Sequence, residues 1–320
     1  MMSAGGAHGL MDIRAGSMNV IKWLLNSDPA IRWQAMRDLT GEDKQAISAE
    51  RARVATEGWG ARVLDSQSPR GHWGGEDRGW MITIHTLTLL KDLGADPESR
   101  PVRTAVDRVR KHVTWHQLDG RPYFDGETEP CINGRILATG AYFGEPSKRL
   151  LDRLLSEQLV DGGWNCEAPK SKCSSFHSTI CVLEGLLEYE KSCGRSGPVA
   201  MARARAQDYL LERRMFRSLR TGEVIDRSWT QFQFPPSYHY DVLRGLDYLR
   251  SAGVKPDKRV DEAIGIVNKR RHQNGLWPLN RIDPRRFTPD MEPGVGRRSH
   301  WNTLRALRVL KWHTEGFARR

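Results

Sequence analysis

Apolar residues recur along this chain with helical spacing, and two kinds of helix alternate. The first kind is apolar on most faces. It reads MITIHTLTLLKDLG (81–94), FHSTICVLEGLLEYEK (176–191), YHYDVLRGLDYL (238–249) and SHWNTLRALRVL (299–310). CINGRILATGAYFG (131–144) is a more divergent fifth, and DPAIRWQAMRDLTG (28–41) is a candidate sixth. The second kind is apolar on one face only. Segment 102–117 carries Val102, Val106, Val109 and Val113, and 147–158 carries Leu150, Leu151, Leu154 and Leu155. Segments 199–216 and 260–271 follow the same rule, with Arg, Lys, Asp and Glu on the remaining faces. Such stripes predict helices with one wet side, whereas the first kind predicts an inner layer.

The inner-type helices return about every 50 residues, a period that marks a repeat architecture. Most follow a glycine/aromatic turn: GHWGG at 71–75, DGRPYF at 119–124, DGGW at 161–164 and NGLWP at 274–278. No alternating strand pattern of useful length appears, although TGEV at 221–224 suits a short turn or hairpin piece. The chain therefore predicts an all-α fold, an α6/α6 toroid in which a ring of inner helices encloses a central cavity. An open solenoid of helix pairs is the rival, but its periods are tighter and more regular. One domain is expected over 17–320, with a small, Gly-rich segment before it (1–16) expected to be disordered. Met11 and Met18 are alternative starts. Segments 214–237 and 278–298 are long loops with Pro and aromatic residues, a pattern common at functional sites.

Composition narrows the function. The chain has 50 Lys+Arg against 39 Asp+Glu, a formal charge of +11. That charge suits an Arg-rich solvated surface or an anionic small molecule. No run of five or more basic residues and no zinc-finger or RNA-recognition signature occurs, so nucleic acid is not expected as a partner. No stretch of about 18 apolar residues exists, so no membrane span is expected. The first residues lack an apolar signal core, which points to the cytoplasm. Five cysteines in such a chain suit reduced thiols or metal ligands better than disulfides.

QSPRGHWGG (67–75) and EQLVDGGWNCE (157–167) give the chain a family likeness. Each precedes an inner-type helix and resembles the glycine/tryptophan repeats of the terpenoid cyclase/protein prenyltransferase superfamily, squalene-hopene cyclases in particular. The resemblance covers roughly residues 60–312 and implies an α6/α6 barrel with a cavity lined by inner helices. The DxDD acid of class II cyclases is missing, as is the DDxxD of class I enzymes; the nearest carboxylate cluster is DGETE at 125–129. Glu129-Pro-Cys131 before one inner helix and His177 opening the next resemble the zinc positions of prenyltransferase β-subunits. Those enzymes also need an α-subunit, so protein prenylation is not implied.

Independently of family, Cys166, Cys173 and His177 lie within 12 residues, and Cys131 opens the preceding inner helix. Thiolates and imidazole are zinc donors, so Cys131, Cys166, Cys173 and His177 form the expected metal set. Unpaired thiols or a redox pair are the other readings. Cys181 and Cys193 read as packing and incidental.

If all inner helices run the same way, their N-termini gather at one mouth, where free N–H groups favour anions. His85, His177, His239 and His300 fall near those starts. His239 and His300 share H-x-[D/N]-x-L-R-x-L with Asp241 and Asn302. His85, His239, Asp241 and His300 are the expected acid–base set. Arg135, Tyr240, Arg297, Arg298, Trp301 and Asn302 are the expected substrate contacts, the arginines for a carboxylate or phosphate. Trp80, Tyr123, Phe124, Trp229, Phe232 and Tyr238 add apolar wall or plain core. The function expected is a soluble enzyme, with zinc as the expected cofactor, acting on a small molecule with an apolar body and an anionic group, as a lyase, hydrolase or transferase. The alternatives are an isoprenoid cyclase with a non-standard acid (Asp125, Glu127 or Glu129) and a binding scaffold with structural zinc.

Overall fold

A computed structural model of the chain describes residues 19–74, 79–283 and 290–318. The expected disordered segment, both alternative starts, Gly75 of the first turn and part of the 278–298 loop lie outside the described residues. The inner helices are α2 (Pro29–Ala35), α5 (Gly79–Leu93), α7 (Pro130–Tyr142), α9 (Phe176–Cys193), α11 (Val242–Ser251) and α13 (His300–Ala318). The outer helices are α1 (19–25), α4 (Gly58–Asp65), α6 (Arg100–His112), α8 (Lys148–Ser156), α10 (Gly197–Glu212) and α12 (Asp261–Lys269). A further helix, α3 (Lys44–Ala52), lies between α2 and α4.

Contacts between successive inner helices close the ring. Trp33 Nε1 of α2 donates to Leu93 O of α5 at 2.9 Å. Arg135 of α7 meets His85 of α5 at 3.4 Å. Arg244 of α11 pairs with Glu184 of α9 at 2.6 Å. Arg308 of α13 donates to Asp247 of α11 at 2.8 Å and to Gln34 Oε1 of α2 at 3.0 Å. The α7–α9 junction is closest of all: a Cβ on Gly134 would stand 2.6 Å from the Cys181 carbonyl, so the two backbones touch directly. The all-α toroid is thus as expected. The inner helices are buried almost all round, as in α7, while α8 buries only Leu150, Leu151 and Leu154.

Three of the glycine/tryptophan turns are one device built three times. Trp73, Trp164 and Trp277 each donate Nε1–H to the carbonyl ten residues earlier, at Val63, Leu154 and Val267. Each carbonyl lies in the last turn of an outer helix, where it has no intrahelical partner. Each turn places a glycine at positive φ, Gly71 at 81°, Gly162 at 99° and Gly275 at 84°. Gly162 has a second reason to lack a side chain, since a Cβ would stand 2.6 Å from Arg205 O. A residue four positions before each glycine braces it: Gln67, Gln158 and Arg271 donate to Gly71 O, Gly162 O and Gly275 O. The DGRPYF turn differs. It is a short hairpin, β1 (Thr114–Trp115) with β2 (Arg121–Pro122), which ends α6 earlier than the valine pattern suggested. The 221–224 piece does form a small turn, closed by an Arg217–Val224 bridge.

Candidate functional site

The starts of the inner helices gather at one mouth and their ends at the other, so the inner helices are parallel. At the start mouth a largely buried segment, 231–241, fills the ring. Its Phe234 stacks on Trp301 at 4.3 Å. Arg244 Nη1 holds the carbonyls of Ser237 and His239 at 3.2 and 2.9 Å, and Arg305 Nη1 holds Gln233 O at 3.2 Å. Helix α11 therefore begins at Val242, later than expected, and His239 lies before it. Asp241 is fully buried and caps that helix, accepting from Arg244 N at 2.8 Å and Gln233 N at 3.2 Å. Glu292 does the same for α13: it accepts from Trp301 N at 3.0 Å, His300 N at 3.2 Å and Ser299 Oγ at 2.8 Å. The protein's own carboxylates thus occupy the anion-favouring ends of α11 and α13.

Two groups of predicted residues do meet at this mouth. His85 Nδ1 stands 3.2 Å from Ser237 Oγ and 3.4 Å from Arg135, whose guanidinium lies 4.4 Å over the Tyr238 ring. His177 and His239 have ring centroids 5.5 Å apart and line a pocket of about 420 Å³ with Tyr238, Gln233, Arg281 and Asp283. His177 Nδ1 accepts from Tyr240 N at 2.8 Å, and Tyr240 Oη donates to Met215 O at 2.7 Å. Burial, then His239 and Arg244, push the His177 pKa down to about 4, and burial lowers that of His239. Both are neutral at pH 7.

His300 sits apart from them. Its ring stacks on Trp23 at 3.8 Å and faces the edge of Trp59. Burial, then Arg298, lowers its pKa to about 4. Asn302 is buried and donates to Pro278 O and Phe232 O, while Arg297 and Arg298 are exposed.

Of the expected metal set, Cys131 and Cys166 come together, with Glu129 as third donor; all three ligand atoms lie within 4.8 Å of one another. Cys131 Sγ is 3.5 Å from Glu129 Oε2, and Cys166 Sγ is 3.2 Å from Ser178 Oγ. Sharing a proton with Cys166, together with burial, raises the Cys131 thiol, and the same contact lowers that of Cys166. Among the described residues neither Cys173, which is exposed, nor His177 joins that group. Two thiols and a carboxylate fit a soft divalent ion with one position left over.

The larger cavity, about 650 Å³, opens at the other mouth. Phe234 and Pro236 form its floor, and Trp33, Tyr142, Tyr248 and Trp301 its aromatic walls. Lys44 and Arg51 reach in from α3. Nine Lys and Arg line it against four carboxylates, Asp92, Glu184, Glu188 and Asp247. Helix ends explain part of that charge, because free carbonyls there attract cations. Arg51 donates to Gly94 O at 2.9 Å and to Tyr142 Oη at 2.9 Å. Burial alone would raise Asp247 and Glu184, but Arg308 and Arg250 outweigh it at Asp247 and Arg244 does so at Glu184, so both carboxyls stay ionised. Of the predicted contacts only Trp301 lines this cavity. The signal was present in the repeats, since the shared L-R-x-L places Arg244 and Arg305 on otherwise apolar inner helices.

No family model matches the chain, and no curated protein is similar to it. Solved structures do align over most of its length. A crystal structure of a protein from Actinoplanes covers 90% of this chain and 90% of its own, at 17% identity and a TM-score of 0.44. A type II terpene cyclase from Scytonema, in complex with geranylgeranyl dihydroxybenzoate, covers 90% and 87% at 14% identity and a TM-score of 0.45. The same cyclase without ligand covers 93% and 99% at 16% identity and a TM-score of 0.41. Likeness at this level carries nothing about chemistry. No helix among the described residues is long and apolar enough to cross a membrane.

Proposed function

We propose that this chain is an enzyme that takes a small molecule with an apolar body and an anionic group into the cavity at the helix ends, and that its substrate is an isoprenoid. The observation that carries this reading is the lining itself, aromatic faces beside an excess of cations in about 650 Å³. That volume lies within the ordinary range for small-molecule sites. Aromatic faces and ionised carboxylates also suit the cationic centres of isoprenoid chemistry. Metal-assisted chemistry fits less well, because Glu129, Cys131 and Cys166 lie at the start mouth and none of them lines the cavity. Protonation of an alkene by Asp247 or Glu184 is disfavoured by their ionisation. Asp125, Glu127 and Glu129 do not line the cavity either, so the acid of a cyclisation is not among those three. Native mass spectrometry of the purified chain, followed by incubation with polyprenyl alcohols, acids and diphosphates, tests the reading. We expect acids or diphosphates to bind more tightly than the alcohols, and Trp301→Ala to abolish turnover. A retained ligand that is wholly apolar, or one seated among His177, His239 and Tyr238, would overturn it.

The three-donor cluster supports a second, separate proposal: a structural zinc ion held by Glu129, Cys131 and Cys166. Elemental analysis should then find about one zinc per chain, lost in Cys166→Ser, and chelation should lower the melting temperature. Metal-free protein of unchanged stability would remove it.

A further inference from the structure

The sulfurs of Cys131 and Cys166 lie within 4.8 Å of each other, although they come from different elements. Cys131 opens α7, and Cys166 belongs to the loop that leads into α9. Cys166 is turned inward: its backbone N–H donates to Ser178 Oγ of α9 at 3.3 Å, and its Sγ stands 3.2 Å from the same hydroxyl. Cys173, in the same loop, is turned out. Asn165 Nδ2 holds Cys173 O at 2.7 Å and Ser171 Oγ at 3.0 Å, and Cys173 is exposed. Cys181 is buried within α9, and Cys193 is exposed at its far end. Both members of the close pair are half-buried, so a small oxidant in solution reaches them. A disulfide needs about 2 Å between sulfurs, so closing the gap takes less than about 3 Å of travel, which one change of cysteine rotamer supplies.

We propose that Cys131 and Cys166 form a reversible disulfide, a redox switch that clamps the start of α7 to the loop before α9. A hydroperoxide is the oxidant. The Cys166 sulfur attacks its outer oxygen, the O–O bond breaks and water or an alcohol leaves, giving a sulfenic acid. The Cys131 sulfur then attacks the Cys166 sulfur. The S–S bond forms, the S–O bond breaks, and the sulfenic oxygen leaves as water with the Cys131 proton. Glu129 Oε2, 3.5 Å from Cys131 Sγ, accepts that proton on its way. Two electrons pass from the thiols to the peroxide. A dithiol reductant reopens the bridge by exchange. The switch stands apart from the cavity at the helix ends. It shares both sulfurs with the zinc proposed above, and a bridged pair has no thiolate left for a metal, so the two states exclude each other.

Treatment of the full chain with hydrogen peroxide, with a chelator in the buffer, tests the switch. Free thiols should fall from five to three, and digestion should yield a peptide that links Cys131 to Cys166. Dithiothreitol should restore all five. Cys166→Ala and Cys131→Ala should each abolish the linked peptide, and Cys173→Ala should leave it. Amide hydrogen exchange in 165–175 should slow by about tenfold in the bridged form. A link between Cys166 and Cys173, sulfinic acid at Cys166 without a link, or five thiols remaining overturns the proposal. So does unchanged exchange in 165–175, which would leave a bond that clamps nothing. Zinc in the untreated protein is measured separately, so failure of the switch and failure of the zinc site are told apart.

Discussion

The two mouths of the ring are built from the same inner helices and do opposite things. The start mouth is closed. Segment 231–241 fills it, Asp241 and Glu292 cap the helices there, and its pocket is the smaller one. The end mouth is open and charged, with Arg51 on a helix-end carbonyl, arginines on Glu184 and Asp247, and lysines on Asp92 and Glu188. Helix dipoles alone predict anion binding at the starts. The difference shows that the dipole decides nothing once a protein carboxylate has taken the position. What remains for a ligand is the mouth where the chain has supplied more charge than it has neutralised.

The largest effect should come from Arg244, which ties the two mouths together. It pairs with Glu184 on the cavity side and holds the Ser237 and His239 carbonyls of the plug. Arg244→Leu leaves a carboxylate unpaired and two carbonyls bare, which should cost about 3–5 kcal/mol. Urea unfolding measures the loss, and hydrogen exchange should rise first in 231–241. A loss below about 1 kcal/mol would mean that the plug stands without its anchor.

Acid should separate the mouths in a second way. His177 and His300 are held neutral with pKa values of about 4, against 6.5 when unfolded. Their folded-state values are depressed, so the stability they report is complete above pH 6.5 and is lost as pH falls toward 4. Each group accounts for on the order of 2–3 kcal/mol of that loss. The carboxylates of the end mouth, Asp38, Asp247 and Glu184, are also depressed, so their share is lost only as pH falls below about 4. Unfolding free energies at pH 7.5, 5 and 3.5 check the order. His300→Leu should flatten the first step and leave the second, and an unchanged first step would remove His300 from it.

The ring was legible because it is written in periodicity. Inner helices apolar on most faces, outer helices with one stripe and three Trp turns are all local patterns, and each predicts its own burial. The site was less legible, for two reasons seen in particular residues. By pattern Asp241 reads as an acid–base residue within its helix rather than as the cap, and Glu292 caps from a loop outside the repeats, so the occupied helix starts looked vacant. The cavity draws single residues from many elements, Trp33, Arg51, Glu184, Phe234 and Asp247 among them, and only the folded ring brings them together. Cys131 was legible as a candidate donor from its place at the start of an inner helix, and Glu129 only through the resemblance to the zinc positions of prenyltransferase β-subunits. Cys173 was not separable from Cys166 by spacing, although only Cys166 faces α7.

The smallest effect lies within the turns that frame the start mouth. Gln158 Nε2 donates to Gly162 O at 2.7 Å and to Ala202 O at 2.8 Å, so it braces its turn and ties it to α10. Arg271, at the equivalent place, makes one longer hydrogen bond, to Gly275 O at 3.3 Å, with its guanidinium 5.4 Å from the Trp277 ring centroid. Gln158→Ala removes two good bonds from partly buried carbonyls and should cost about 1–2 kcal/mol. Arg271→Ala removes one poor bond from a more exposed turn and should cost about 0.5 kcal/mol or less. Neither residue lines the end cavity, so ligand affinity there should stay within about twofold of wild type. Urea titrations of the two variants side by side decide the point. Equal losses would mean that the second bond of Gln158, to Ala202 O, adds nothing to the brace.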